Sequence, residues 1–163
     1  MIANENIMKA LRHSTLIAEL RDHEIGILTD LLTLRHYKAG EVIDKPDPLT
    51  DALLILVDGK IEVSAMVDDE PMVMHLKDPG ELARIISFVG SSIMKIDASI
   101  VATEDSTVLE LERTKLEALL DTHHSIVYYV MRGLVRYAHS LARHKSAETC
   151  EMSNYFYRLN GRF

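Results

Sequence analysis

The pair Asp58-Gly59 stands between two strand-like runs, Ala52 to Val57 and Lys60 to Met66. Asp and Gly both tolerate the positive φ that a type I′ turn needs at its central residues, so the pair predicts a β-hairpin. Comparable punctuation recurs through residues 34–112. Leu34–Lys38, Glu41–Asp44, Met72–Lys77, Ile96–Ala102 and Thr107–Leu111 are short and rich in apolar or β-branched residues, and Ala39-Gly40, Asp47-Pro48, Asp68-Asp69 and Pro79-Gly80 separate them. Ile61, Val63 and Ala65 alternate with Glu62 and Ser64, and Met72, Met74 and Leu76 alternate with Val73, His75 and Lys77. That is the period of strands with one buried face. Many short strands with regular turns predict a small antiparallel barrel or sandwich.

Helical patterns flank this zone. In residues 1–33, Leu16, Leu20, Ile27, Leu28, Leu31 and Leu32 recur at helical spacing, with Gly26 expected between two helices and Asp22-His23-Glu24 as the acidic start of the second. From Arg113 onward the chain is helical again. Val127, Val130, Leu134, Tyr137 and Leu141 step by three and four, an a/d seam on a helix expected over Thr122–Lys145. Such a seam packs on its own domain or, where exposed, on a second copy. The domain is therefore expected over 1–145, with helices at 1–33, a β-roll at 34–112 and helices at 113–145. Residues 146–163 form an aromatic tail around Tyr155, Phe156 and Tyr157 that should dock.

Composition narrows the class. The chain has 163 residues, enough for a core without metal or disulfides, and 18 basic against 25 acidic residues give a net charge of −7. That balance argues against a general nucleic-acid binder. One cysteine, Cys150, cannot form an internal disulfide, and acidic Glu148 and Glu151 beside it disfavour a thiolate. The N-terminal stretch lacks the apolar core of a signal peptide, and no apolar run approaches a membrane span. The expectation is a soluble, cytoplasmic protein. His123 and His124 are adjacent, and His139 and His144 are five apart rather than the four that aligns two imidazoles on a helix, so no metal site is expected. Ser91-Ser92 lacks the context of an activated nucleophile, and no catalytic constellation stands out.

The order of helices, β-roll and long C-terminal helix brings a family into view. Tyr37–Ile43, Leu54–Val63, Leu76–Glu81, Asp97–Ala102 and Glu104–Leu111 resemble, in order and spacing, successive signatures of cyclic-nucleotide-binding domains. The resemblance covers about residues 12–145, and the catabolite-activator-type regulators share the domain order. It implies a double-stranded β-helix, or jelly-roll-like β-roll, with N-terminal helices and a long C-terminal dimerisation helix: a mainly β fold with flanking helices.

In that family a Gly-Glu pair in a short helical turn presents backbone N–H groups to a cyclic phosphate, the Glu accepts from the ribose 2′-hydroxyl, and a later Arg pairs with the phosphate. Overlaid without gaps, Gly80 and Glu81 fit the opening turn, and Ser87, Phe88 and Val89 fit the short helix. The Gly-Glu positions fall on Arg84 and Ile85, followed by Ile86. The phosphate Arg falls on Ile96, beside Asp97, ahead of Ala98 and Ser99. A ribose acceptor and a phosphate partner are both replaced by isoleucine, and an acid stands where an anion should bind, which disfavours cyclic AMP and cyclic GMP. Two alternatives stay open: Lys95 supplies the cation after a one-residue shift, or Arg84 serves a different anion, with Arg84, Lys95, Asp97 and Ser99 lining an altered pocket.

The resemblance thus implies a stand-alone, non-catalytic regulatory module. It would dimerise through Val127, Val130, Leu134, Tyr137 and Leu141 and act on an unidentified protein partner, without cofactor, membrane or direct DNA contact. The second reading is a sensor of a small anionic ligand. In the transcription-factor branch a helix-turn-helix domain follows the long helix; the residues after Lys145 hold no second helix pair, and Arg132, Arg136, Arg143, Lys145, Arg158 and Arg162 read as a solvated basic end.

Overall fold

The computed structural model describes residues 2–44, 51–67, 70–89 and 98–160, with side chains over 5–43, 51–65, 71–89 and 98–143. The element order is helix α1 (Ile2–His13), a 3₁₀ turn (Thr15–Ile17), α2 (Asp22–Asp30), β1 (Leu32–Tyr37), β2 (Val42–Asp44), β3 (Ala52–Asp58), β4 (Ile61–Val67), β5 (Glu70–Leu76), β6 (Leu82–Ala83), α3 (Ile85–Phe88), β7 (Ala98–Ala102), β8 (Ser106–Glu112), α4 (Arg113–Glu117) and α5 (His124–Asn160). Two four-stranded sheets, β1-β8-β3-β6 and β2-β7-β4-β5, form a mainly β roll flanked by helices. All their pairings are antiparallel.

β3 explains the layering. Every residue from Ala52 to Val57 is buried. Leu53, Ile55 and Val57 join Leu109, Leu111 and the helices in one core, while Leu54 and Leu56 join Ile61, Leu76, Ile100 and Val108 between the sheets. A strand buried on both faces loses its alternation, so it reads as a continuous apolar run. Each fully buried Leu or Ile contributes about 1.5–3 kcal/mol.

The Asp58-Gly59 turn does not make a hairpin. β3 pairs with β8 and β6, whereas β4 pairs with β5 and β7, so the turn carries the chain from one sheet to the other. Gly59 is still required, with φ +90° and an added Cβ that would collide with the carbonyl oxygen of Asp105. Around the corner, Lys60 N–H donates to Ser106 Oγ at 3.0 Å, and Thr103 N–H donates to the Lys60 carbonyl at 2.9 Å. The long hairpin is β4–β5 instead, with Ile61 opposite Leu76 and Val67 opposite Glu70.

The helical boundaries also move. Gly26 lies inside α2, and the N-terminal break comes earlier, where Ser14 Oγ accepts from Leu16 N–H at 3.3 Å. Leu32 opens β1 rather than closing a helix. α2 does begin at Asp22; Glu24 accepts from Arg21 N–H at 2.9 Å and from Ser125 Oγ–H at 2.8 Å. Those two bonds hold its carboxyl below the usual range, the backbone bond contributing most, and they tie α2 to the start of α5. α5 passes Lys145 without a break and reaches Asn160, 37 residues or about 55 Å, so the segment expected as a separate tail is helical up to that residue.

Candidate ligand-binding cassette

The stretch from Gly80 to Val89 joins β5 to the short helix α3. Gly80 has φ +91°, and an added Cβ would lie 2.7 Å from the Ala10 carbonyl oxygen and from Ser14 N, so only glycine lets α1 approach the turn. Gly80 N–H donates to the Leu56 carbonyl at 2.8 Å, and Leu56 N–H donates to that of Glu81 at 2.9 Å. The Glu81 carboxylate accepts from the backbone N–H groups of Lys77 and Asp78 at 2.7 and 2.8 Å. Both residues therefore build the turn.

Arg84 follows with φ 64° and ψ 24°, the one non-glycine residue in the left-handed region among the described residues. This backbone shape is one that suits the glycine the resemblance asks for at this position. A left-handed conformation costs a non-glycine residue about 1 kcal/mol. Accordingly, Arg84→Gly should be more stable than Arg84→Ala by about that amount in urea unfolding. The comparison with alanine removes the contribution of the guanidinium; equal midpoints would contradict the strained turn.

Ile85 stands where the resemblance asks for the ribose acceptor, and it packs against the core shared with the helices. Phe88 is buried beside it, whereas Ile86, Ser87 and Val89 face solvent. Across the roll, Ala98 pairs with Ala65 and shares the inward face of β7 with Ile100. Ser99 pairs with Ser64 on the opposite face, so it does not line the space between the sheets. Lys95, Ile96 and Asp97 lie outside the described residues, as do Gly90, Ser91 and Ser92.

The expected dimer seam is mostly spent within the chain. Val130 and Leu134 are 0% and 2% exposed in the helical core, and Val127 and Tyr137 pack against it; Leu141 is half-buried. Gly133 explains the close docking: an added Cβ would sit 2.5 Å from the Thr15 carbonyl oxygen, and Thr15 Oγ–H donates to the Gly133 carbonyl at 2.9 Å. Tyr137 has a further role that its spacing did not signal. Its hydroxyl oxygen accepts from Leu82 N–H at 3.1 Å, joining α5 to the strand that leads into Arg84. Burial pushes this hydroxyl's pKa up. Among the described side chains, the large apolar residues that α5 leaves exposed are Tyr128 and Val135, at 59% and 68%.

A surface depression of about 340 Å³ lies between His36, Lys38, Asp58, Asp105 and Thr107. Its polar groups pair among themselves, Lys38 Nζ with Asp105 at 2.7 Å and His36 Nδ1 with Thr107 Oγ1 at 3.0 Å. No residue from Gly80 to Val89 lines it. Among the described residues there is no group of three metal-ligating side chains. No described helix is long and apolar enough to cross a membrane.

This geometry has a known counterpart, since the cyclic nucleotide-binding domain family matches residues 34–123, more than half the chain. The chain belongs to that family. Members of the family are regulatory domains. Among solved structures, a cyclic nucleotide-binding domain from Methylobacillus flagellatus is 18% identical with a TM-score of 0.76, covering 93% of this chain and 84% of that one. The catabolite activator protein of Thermus thermophilus is 24% identical with a TM-score of 0.64, covering 86% and 63%. A regulatory subunit of a cAMP-independent protein kinase A from Trypanosoma brucei is 18% identical with a TM-score of 0.62, covering 85% and 50%. No curated protein matches the sequence. The roll from Leu34 in β1 to the end of β8 and the turn at Gly80 lie within the matched residues.

Proposed function

We propose that this family member is a non-catalytic cytoplasmic regulatory module that does not take cyclic AMP or cyclic GMP in the family manner. It works as a homodimer through α5 and passes its signal by protein contact. The observation that carries the ligand half is Ile85: the residue at the ribose-acceptor position is apolar and committed to the helical core. A nucleotide hydroxyl buried there would lose its water without gaining a partner, a cost of about 1–3 kcal/mol. The Trypanosoma brucei neighbour is the regulatory subunit of a kinase described as cAMP-independent, which supports a fold retained where cAMP is not the signal.

The homodimer half rests on the exposed register of α5. Tyr128, Val135, Ala138 and Ala142 are exposed on one register of α5, which half-buried Met131 shares at the edge of the helical core. By sequence spacing alone the same register continues through Lys145, Thr149, Met152, Phe156 and Leu159, while the core-facing register turns mostly polar at His144, Glu148, Glu151 and Arg158, with Tyr155 between the last two. A stripe that stays largely apolar where the docked face becomes polar calls for a second helix. Sedimentation equilibrium should find a dimer whose dissociation constant does not change with millimolar cyclic AMP; a monomer, or a nucleotide-dependent dimer, would overturn the reading.

The second reading, a sensor of a small anion, draws support from Arg84, because a strained non-glycine turn marks a residue held in place for a reason.

A further inference from the structure

Between Asp121 and Glu148 the chain carries no aspartate or glutamate, so the described side chains of α5 bring no carboxylate to its surface. Its cations gather on one side. Arg132, Arg136, His139 and Arg143 step by four, three and four; they fall within about 60° of one another around the helix and span about 16 Å along it. All four are exposed. Among the described residues, the carboxylate that meets them is Glu19, just past the 3₁₀ turn: its Oε1 lies 3.3 Å from Arg132 Nε and 2.5 Å from Arg136 Nη1. One oxygen of one acid thus faces two guanidiniums, and His139 and Arg143 continue the stripe toward the C-terminus. Helix stability does not account for this pattern. Like charges three and four residues apart repel one another along a helix, and cations complement the helix dipole only within its last turn. α5 runs on from Arg143 to Asn160, so none of the four stands there. The register of Tyr128, Val135, Ala138 and Ala142 lies about a quarter turn away, so a dimer formed on it leaves the stripe open along its flank.

We propose that Arg132, Arg136, His139 and Arg143 form a docking face for an acidic helical segment of a partner protein. This rests on the reading that the module passes its signal by protein contact. Carboxylates spaced by four, three and four on a partner helix match the stripe, and that spacing is the same read in either direction, so parallel and antiparallel helices both fit. Glu19 already holds one end of the face, so the incoming segment competes with it for the two guanidiniums. The chain's net charge of −7 repels a long polyanion whose charges run past the stripe, and favours a short segment that ends with it.

The probe is a fluorescein-labelled, alanine-rich helical peptide with glutamates at that spacing, titrated with the full chain in low salt and read by anisotropy. It should bind at least about tenfold tighter than a peptide of the same composition whose glutamates are spread around the helix, and sodium chloride should weaken it. Arg136→Gln/Arg143→Gln should weaken binding about tenfold, and Glu19→Gln should tighten it about threefold, a gain that a merely structural ion pair would not give. Should the double variant not fold, Arg143→Gln alone carries the test with a loss of about threefold. Equal affinity for the two peptides, or no gain from Glu19→Gln, overturns the face. Tighter binding of an oligothymidylate with the same number of charges overturns the protein class. A changed dimer dissociation constant in Arg136→Gln/Arg143→Gln would mean that a second copy covers the stripe, and overturns the foreign partner. A monomeric wild type removes the dimer reading and leaves this face standing.

Discussion

The double variant Tyr128→Glu/Val135→Glu should sediment as a folded monomer. Both residues are exposed in the single chain, at 59% and 68%, so placing charge there disturbs no core and should cost the fold no more than about 0.5 kcal/mol each. In a homodimer the same two positions, seven residues apart, meet their own copies. Two glutamates facing their symmetry mates then lose apolar burial and gain like-charge repulsion. Val130→Glu is the contrasting case. Val130 is fully buried among the helices, and a carboxylate there has no partner, so that variant should unfold rather than dissociate. A folded monomer from Val130→Glu, with an unchanged dimer from the double variant, would return the interface to the seam expected from spacing.

Gly133→Ala should destabilise the protein by about 2 kcal/mol in urea unfolding. The opposing terms can be weighed separately. Alanine in a helix interior is favoured over glycine by about 1 kcal/mol. The added Cβ, however, meets the Thr15 carbonyl oxygen at 2.5 Å and Leu16 Cα at 2.9 Å. These are backbone atoms that no side-chain rotation can clear, and overpacking of this kind costs about 3 kcal/mol. The sign is therefore diagnostic: a stabilised variant would mean that α5 does not dock on the Thr15–Ile17 turn as described.

Much of the fold is legible along the chain, since alternation in β4 and β5 and the acidic start of α2 express local rules. The errors are instructive. Asp58-Gly59 has hairpin chemistry because the turn does need positive φ at glycine, but residue chemistry cannot say whether the next strand joins the same sheet. That depends on β8 and the Asp105–Ser106 corner, distant in sequence. The helix seam at Val127, Val130, Leu134 and Tyr137 was likewise visible as a face; its partner was not, because Gly133 and Thr15 determine the docking together. At the cassette, the departure of Arg84 and Ile85 from the Gly-Glu of the resemblance is readable in the sequence. The structural work of Glu81, the outward face of Ser99 and the Tyr137–Leu82 bond are not, because each requires the register of the strands. The meeting of Glu19 with Arg132 and Arg136 becomes visible only once the 3₁₀ turn is laid on α5.

The central claim is that the cassette keeps its backbone and has lost its ligand contacts. Isothermal titration of the purified chain with cyclic AMP and cyclic GMP tests it most directly. The account predicts no heat of binding at millimolar nucleotide for either. A saturable, one-to-one isotherm in the micromolar range would contradict it, and would mean that a cation outside Arg84 and a ribose acceptor other than Ile85 complete the site.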